Sequence, residues 1–233
     1  MIPIANDHAN RRCPLVTRFL ILANLAVFAY QLFLGPEAGT AFLLEWALVP
    51  DRAAIWRHGW DWHQLGQTAL RCLTCMFLHG GWLHILGNLW TLWIFGEEIE
   101  GRLGRWRYLW FYLLSGLLAA VLHLALNLGS DIPTVGASGA IAGVMGAYFL
   151  LFPFRWITFV IPIFIIPLPI KLPALVYLGF WLYVQFAGAY QSLGQTGSGG
   201  IAFWAHVGGF LAGMYLIRRW KITPPRSAKT KKQ

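Results

Sequence analysis

Seven apolar stretches recur along the chain, at 17–35, 82–96, 108–128, 138–152, 156–170, 174–190 and 201–217. A helix needs about 20 apolar residues to cross a hydrocarbon core of roughly 30 Å, so the pattern predicts a membrane protein with several spans. One stretch differs from the others. "RWITFVIPIFIIPLPIKLPA" carries Pro162, Pro167, Pro169 and Pro173, and an interior proline removes a helical hydrogen bond. The carbonyl it orphans has no partner in lipid. This stretch is therefore expected to form a surface or re-entrant connection, which leaves six spanning helices and an all-α membrane fold.

Composition and charge extend this picture. The chain is 58% hydrophobic and 12% charged, against roughly 25% charged residues in soluble domains. Its net charge of +9 does not point to nucleic acid, because the basic residues sit at the ends. Arg11, Arg12 and Arg18 flank the first apolar stretch, and Arg218, Arg219, Lys221, Arg226, Lys229, Lys231 and Lys232 follow the last. Basic flanks of this kind mark the cytoplasmic side, and an even number of spans puts both ends there. The loop "EEIEGRLGRWR" fits the same side, whereas "QSLGQTGSGG" has no charge and fits the outside. Residues 36–75 become a long outer loop between the first and second helices, with Trp46, Trp56, Trp60 and Trp62 at the interface. The expected organisation is a cytoplasmic tail at 1–16, a membrane domain at 17–219 and a basic cytoplasmic tail at 220–233. The first residues lack the apolar core and cleavage site of a signal peptide. Cys13, Cys72 and Cys75 make no disulfide framework.

Ionisable and amide side chains inside spans are costly and by default point to function. With a 1.5 Å rise per residue, His84 lies about 3 Å and Asn88 about 9 Å below the outer surface, and His206 about 7 Å below it. The stretch from Ser138 to Phe152 is only about 22 Å long, which recesses Ser138 by about 8 Å if its inner end reaches the cytoplasmic interface. Four polar groups from three helices thus fall in one shallow outer layer. A serine hydroxyl becomes a nucleophile when an imidazole takes its proton, and His206 is the candidate base. The oxyanion that follows needs preorganised donors. The Ser138 N–H at a helix N-terminus supplies one, and the His84 ring and Asn88 amide can supply others. No carboxylate lies in these spans, so a Ser–His dyad fits and a triad does not. Gly136 and Gly139 allow a tight turn and close helix approach.

Blander readings stand beside each of these. A lone serine in the seam of Gly139, Gly143 and Gly146 is ordinarily a packing residue, and a lone His206 could be an interhelical hydrogen bond. Their common depth with His84 and Asn88 favours a site. His123 is expected to pack or to face water. "RCLTCMFLHGGWLH" could be read as a soft metal site, but packing cysteines are the simpler reading. A transporter would need a polar path through both leaflets, and the inner halves of the helices are nearly all apolar. No H-E-x-x-H is present, and Asp7, Asp51, Asp61 and Asp131 lie outside the apolar stretches, which disfavours metallo- and aspartyl intramembrane proteases.

These residues resemble the rhomboid family of intramembrane serine proteases, over about Val16 to Arg219. "GASG" at 136–139 is similar to its G-x-S-G and implies Ser138 as nucleophile. "AHVGG" at 205–209, continuing to Gly213, resembles A-H-x-x-G-x-x-x-G and implies His206 as base, with Gly209 as a packing glycine. "HGGWLHILGN" at 79–88 resembles H-x-x-x-x-H-x-x-x-N and carries the oxyanion role onto His84 and Asn88. His79 is implied to be structural, hydrogen-bonding the outer loop. "EGRLG" at 100–104 resembles E-x-R-x-G and implies that Glu100 and Arg102 order the loop after the second helix. Two positions depart from the pattern: Leu70-Arg71 stands where many members have Trp-Arg, and Ala142 where some place an aromatic against the histidine. The resemblance implies a six-helix rhomboid-like bundle that cleaves single-span transmembrane substrates in or near the outer leaflet of a bacterial inner membrane. It implies membrane lipids as surroundings and no cofactor, metal or nucleic acid, and leaves the oligomeric state open. The alternative is a rhomboid-like protein that binds membrane proteins without cutting them.

Overall fold

A computed structural model describes residues 2–6, 13–53, 61–163, 166–191 and 202–222. Trp56, Trp60, the uncharged loop at 192–201 and the basic tail from 223 lie outside them. Among the described residues the chain forms eight helices. They are α1 (Leu15–Phe33), α2 (Gly35–Trp46), α3 (Trp62–Thr74), α4 (Trp82–Leu103), α5 (Arg105–Leu126), α6 (Ser138–Leu151), α7 (Ala174–Gln191) and α8 (Phe203–Arg219). Three strands accompany them: β1 (Ile2–Asn6), β2 (Trp156–Ile163) and β3 (Ile166–Pro173).

The six stretches expected to be helical are helices, with boundaries close to the apolar limits except that α4 continues past 96 to Leu103. By length and composition, α1 and α5 can cross a membrane alone. Together with α3 and the 3₁₀ turn at Cys75–Phe77, which meet α4 at 86°, this makes the protein mostly helical and integral to a membrane. Large apolar side chains point outward, with Phe33 86% and Leu83 89% exposed, an arrangement that lipid accommodates and water does not. The centre of the bundle is α6, buried from Gly139 through Tyr148. At about 21 Å it is too short to span by itself, but its neighbours shield it on every side.

Two regions differ from expectation. The segment 36–75 is largely helical rather than a loop. Its α3 is amphipathic: Leu65, Thr68 and Cys72 turn inward at i, i+3 and i+7, and the Asp61 carboxylate caps it by accepting from the His63 N–H at 2.9 Å. Arg71 donates to the Glu45 carbonyl at 3.0 Å and Thr74 to the Trp46 carbonyl at 2.8 Å, which ties α3 to the end of α2. The proline-rich stretch, expected to be a surface or re-entrant connection and not a spanning helix, is the antiparallel hairpin β2–β3, paired from Trp156↔Pro173 to Ile163↔Ile166. Pro167, Pro169 and Pro173 are tolerated because β3 is an edge strand in the sheet order β1-β2-β3, and Pro162 lies near the end of β2, past the Ile157 to Val160 stretch that pairs with β1. Ile157 and Phe159 alternate inward, with Phe159 4.6 Å from the Tyr177 ring. β1 pairs antiparallel with β2, so residues 2–6, expected to belong to a free tail, are part of the sheet.

Two side chains of α4 fix the bundle's other end. Gly104 alone joins α4 to α5, with φ +78°, a conformation that L side chains rarely adopt. Glu100 meets that turn through its backbone carbonyl, which accepts from the Gly104 N–H at 2.8 Å, while its side chain turns to α1. Its buried carboxylate accepts from the N–H groups of Val16 and Thr17 at 3.0 and 2.8 Å and from the Thr17 hydroxyl at 2.8 Å. It thereby satisfies orphan donors at the start of α1. Arg102 is exposed in the last turn of α4, where a cation suits the helix dipole.

Candidate active site

Helix α6 begins at Ser138 because Gly136 turns the chain into it. Gly136 has φ +119°, and a methyl group there would lie 2.6 Å from His84 Nε2 and 3.4 Å from Asn88 Nδ2. Glycine is thus required twice over, by the backbone and by the two side chains that converge on it. The preceding stretch is strapped in place. Thr134 and Leu48 exchange backbone hydrogen bonds of 2.8 and 3.1 Å, and the Gly136 N–H donates to the Cys75 carbonyl at 2.8 Å.

The neighbour of Ser138 arrives from α8. Close contact of glycines sets its position: an added methyl on Gly209 would strike the Gly139 carbonyl, and one on Gly213 the Gly143 carbonyl. The two backbones therefore touch where most helix pairs are held apart by side chains. His206 lies three residues before Gly209, on the same face. This brings His206 Nε2 to 2.8 Å from Ser138 Oγ. On its other side, His206 Nδ1 lies 2.8 Å from Gln185 Oε1. The Trp181 ring lies 5.9 Å away at 35°. Both groups come from α7, one turn apart.

His84 and Asn88 share one face of α4. The Gly80 N–H lies 3.5 Å from His84 Nδ1 and donates to it, which puts the ring proton on Nε2, the atom facing Gly136. Asn88 is buried, and its amide nitrogen has no hydrogen-bond partner among the described residues. A buried donor without a partner costs about 1–3 kcal/mol, a cost that a ligand oxygen at this place would relieve. Among the described residues no side chain caps α6, which leaves the orphan N–H groups of its first turn available to the same oxygen. All four residues line one cavity of about 1130 Å³, bordered by the irregular stretch 129–135 and floored by Ile141 and Met145.

Other residues differ from their expected places. The hydrogen bonds of His79 run to the first helix, not to an outer loop, and through its peptide group: its N–H donates to Gln31 Oε1 at 3.2 Å and its carbonyl accepts from Gln31 Nε2 at 3.1 Å. Its buried ring packs edge-on against His84 at 5.1 Å. His123, expected only to pack or meet water, braces the loop ahead of Ser138, with Nε2 2.8 Å from Thr134 Oγ1. Gln185 was legible in principle as an amide within an apolar stretch, the same signal that marks Asn88, but no motif adjoins it. Cys75 contributes a carbonyl, which residue type could not reveal.

Known proteins resemble this chain across the whole site. The model of the Rhomboid domain matches residues 66–220. RHOMBOID-like protein 2 of Arabidopsis thaliana is 30% identical over 96% of this chain and 63% of its own length. RHOMBOID-like protein 7 of the same plant is 28% identical over 65% of this chain and 44% of its own. Rhomboid protease GluP of Bacillus subtilis (strain 168) is 38% identical over 33% of this chain and 15% of its own. The chain spans less than two thirds of the length of each of these relatives.

Proposed function

The chain belongs to the rhomboid family of membrane proteins, and from that premise we propose that it is an intramembrane serine endopeptidase. Its substrates are single-span transmembrane proteins cut within or near the outer leaflet. The observation that carries this reading is the 2.8 Å contact of Ser138 Oγ with His206 Nε2, at the edge of a cavity holding unused donors. Ser138 Oγ attacks the scissile carbonyl carbon while its proton passes to His206 Nε2. The oxyanion forms against the first-turn N–H groups of α6, His84 Nε2–H and the Asn88 amide. His206 then returns the proton to the departing amine. Water, activated by the same imidazole, releases the acyl group and restores Ser138. Labelling of Ser138 by a fluorophosphonate in detergent tests the reading directly. A folded protein that leaves Ser138 unlabelled would overturn it and favour a binding role without cleavage.

The unpartnered Asn88 amide makes a graded prediction. Loss of one oxyanion donor typically costs 10²–10³ in rate, about 2.7–4 kcal/mol. Asn88→Ala is therefore expected to keep measurable turnover at roughly that fraction of wild type, with an unchanged thermal midpoint. Full turnover on several substrates would reduce the amide to a packing group.

The reading also assigns topology. Helices α1, α4, α5, α6, α7 and α8 are the six spans, with both chain ends in the cytoplasm of a bacterial cell and the sheet at the inner face. Activity reporters fused at Thr196 and at Gln233 are expected to signal from opposite sides. Signals from the same side would remove one span from the count.

A further inference from the structure

Gln185 is a buried amide on a helix whose other inward residues are Ala174, Leu178 and Ala189, and the chemistry above makes no use of it. Its oxygen lies 2.8 Å from His206 Nδ1. An amide oxygen carries no hydrogen, so this bond requires the proton on Nδ1. A neutral imidazole has one N–H, and Nε2 is then left with its lone pair. The 2.8 Å contact with Ser138 consequently runs from the serine hydroxyl to the imidazole, which is the direction a general base needs. Trp181, one turn earlier on α7, lies against the same ring at 5.9 Å. With alanine at position 142, Trp181 is the aromatic ring that lies against His206 among the described residues.

We infer that Gln185 is a positioning residue: it holds His206 in the tautomer and orientation that accept the Ser138 proton, and with Trp181 it stands where a triad would place its carboxylate. The inference rests on the protease reading. An orienting group on the far nitrogen of the base is a general requirement of such sites, and here a neutral side chain supplies it from a third helix. The titratable groups that share the cavity with His206 are His84 on α4, His123 on α5, Asp131 in the loop and Tyr177 on α7. All of them stay in place in the variants below.

The test is the rate of fluorophosphonate labelling of Ser138 as a function of pH, for the intact protein in detergent. Gln185→Leu fills the same space without an acceptor and is expected to slow labelling about 5- to 100-fold, the range for a buried donor left unsatisfied. Its thermal midpoint should stay close to wild type. Gln185→Glu restores the acceptor and is expected to recover the rate. Its negative charge favours the protonated ring, so the rising limb of the pH profile should move to higher pH. Packing alone would not move that limb. Wild-type rates in Gln185→Leu at every pH, or a Gln185→Glu profile with an unmoved limb, would overturn the assignment while leaving the protease reading intact. If the leucine variant does not fold, the glutamate limb decides. A folded wild type unlabelled at Ser138 overturns the protease reading itself, and the role of Gln185 with it.

Discussion

Ser138→Ala is expected to abolish cleavage of a reconstituted single-span substrate, with a loss on the order of 10⁴–10⁶ in turnover. Removing the nucleophile of a serine protease leaves only binding and oxyanion stabilisation, and nucleophile and base act as one unit. His206→Ala is expected to fall nearly as far. The loss in the serine variant should not come from unfolding. Ser138 is half-buried at the start of α6, caps no backbone group with its side chain, and alanine is the best helix former. The measurement is product formation alongside a thermal melt in detergent. Equal cleavage by wild type and Ser138→Ala would show that the serine is one more small residue in a packed seam.

The second large effect comes from a residue that touches no substrate. Gly209→Val forces branched carbon onto the backbone of Gly139, where an added methyl already meets the Gly139 carbonyl carbon at 2.8 Å and the Ala142 side chain at 3.3 Å. The obstacle is backbone within the buried part of a helix and cannot swing aside. Helix α8 must move off α6, at a typical overpacking cost of about 1–3 kcal/mol. The displacement opens the Ser138–His206 contact, and a misplacement of about 1 Å costs on the order of 10² in rate. Labelling of Ser138 is therefore expected to drop by at least that factor even in the fraction that remains folded. Gly66→Ala is the control, since an added methyl there meets nothing within 4 Å. It should label as wild type and gain up to about 1 kcal/mol from helix propensity. Comparable labelling in both variants would mean that close approach of α6 and α8 does not set the dyad.

How far the sequence could be read follows from which forces act locally. The apolar stretches marked the helices because lipid leaves the backbone no choice but internal hydrogen bonding. The start of α6 was visible in "GASG", since a glycine-rich turn ahead of an apolar stretch is local chemistry. The prolines of 156–173 ruled out a helix for the same reason. They could not announce the sheet, because β2 also needs β1 at Ile2–Asn6 as a partner, and that pairing is a long-range fact. The segment 36–75 concealed its helices behind a short amphipathic pattern that makes sense only against the bundle it covers.

The site divides along the same line. Residue type and depth alone bring Ser138, His206, His84 and Asn88 into one layer, because each is expensive in lipid and each fits one step of acyl transfer. Tertiary structure decided which atoms meet. Only the packed glycines of α6 and α8 put Nε2 of His206 beside Ser138. Only the fold sends Glu100 to the start of α1, His123 to Thr134 and Gln185 to the far side of the imidazole. A polar residue's cost is written in its own side chain, but its partner lies across a helix interface, and the sequence carries no direct record of that distance.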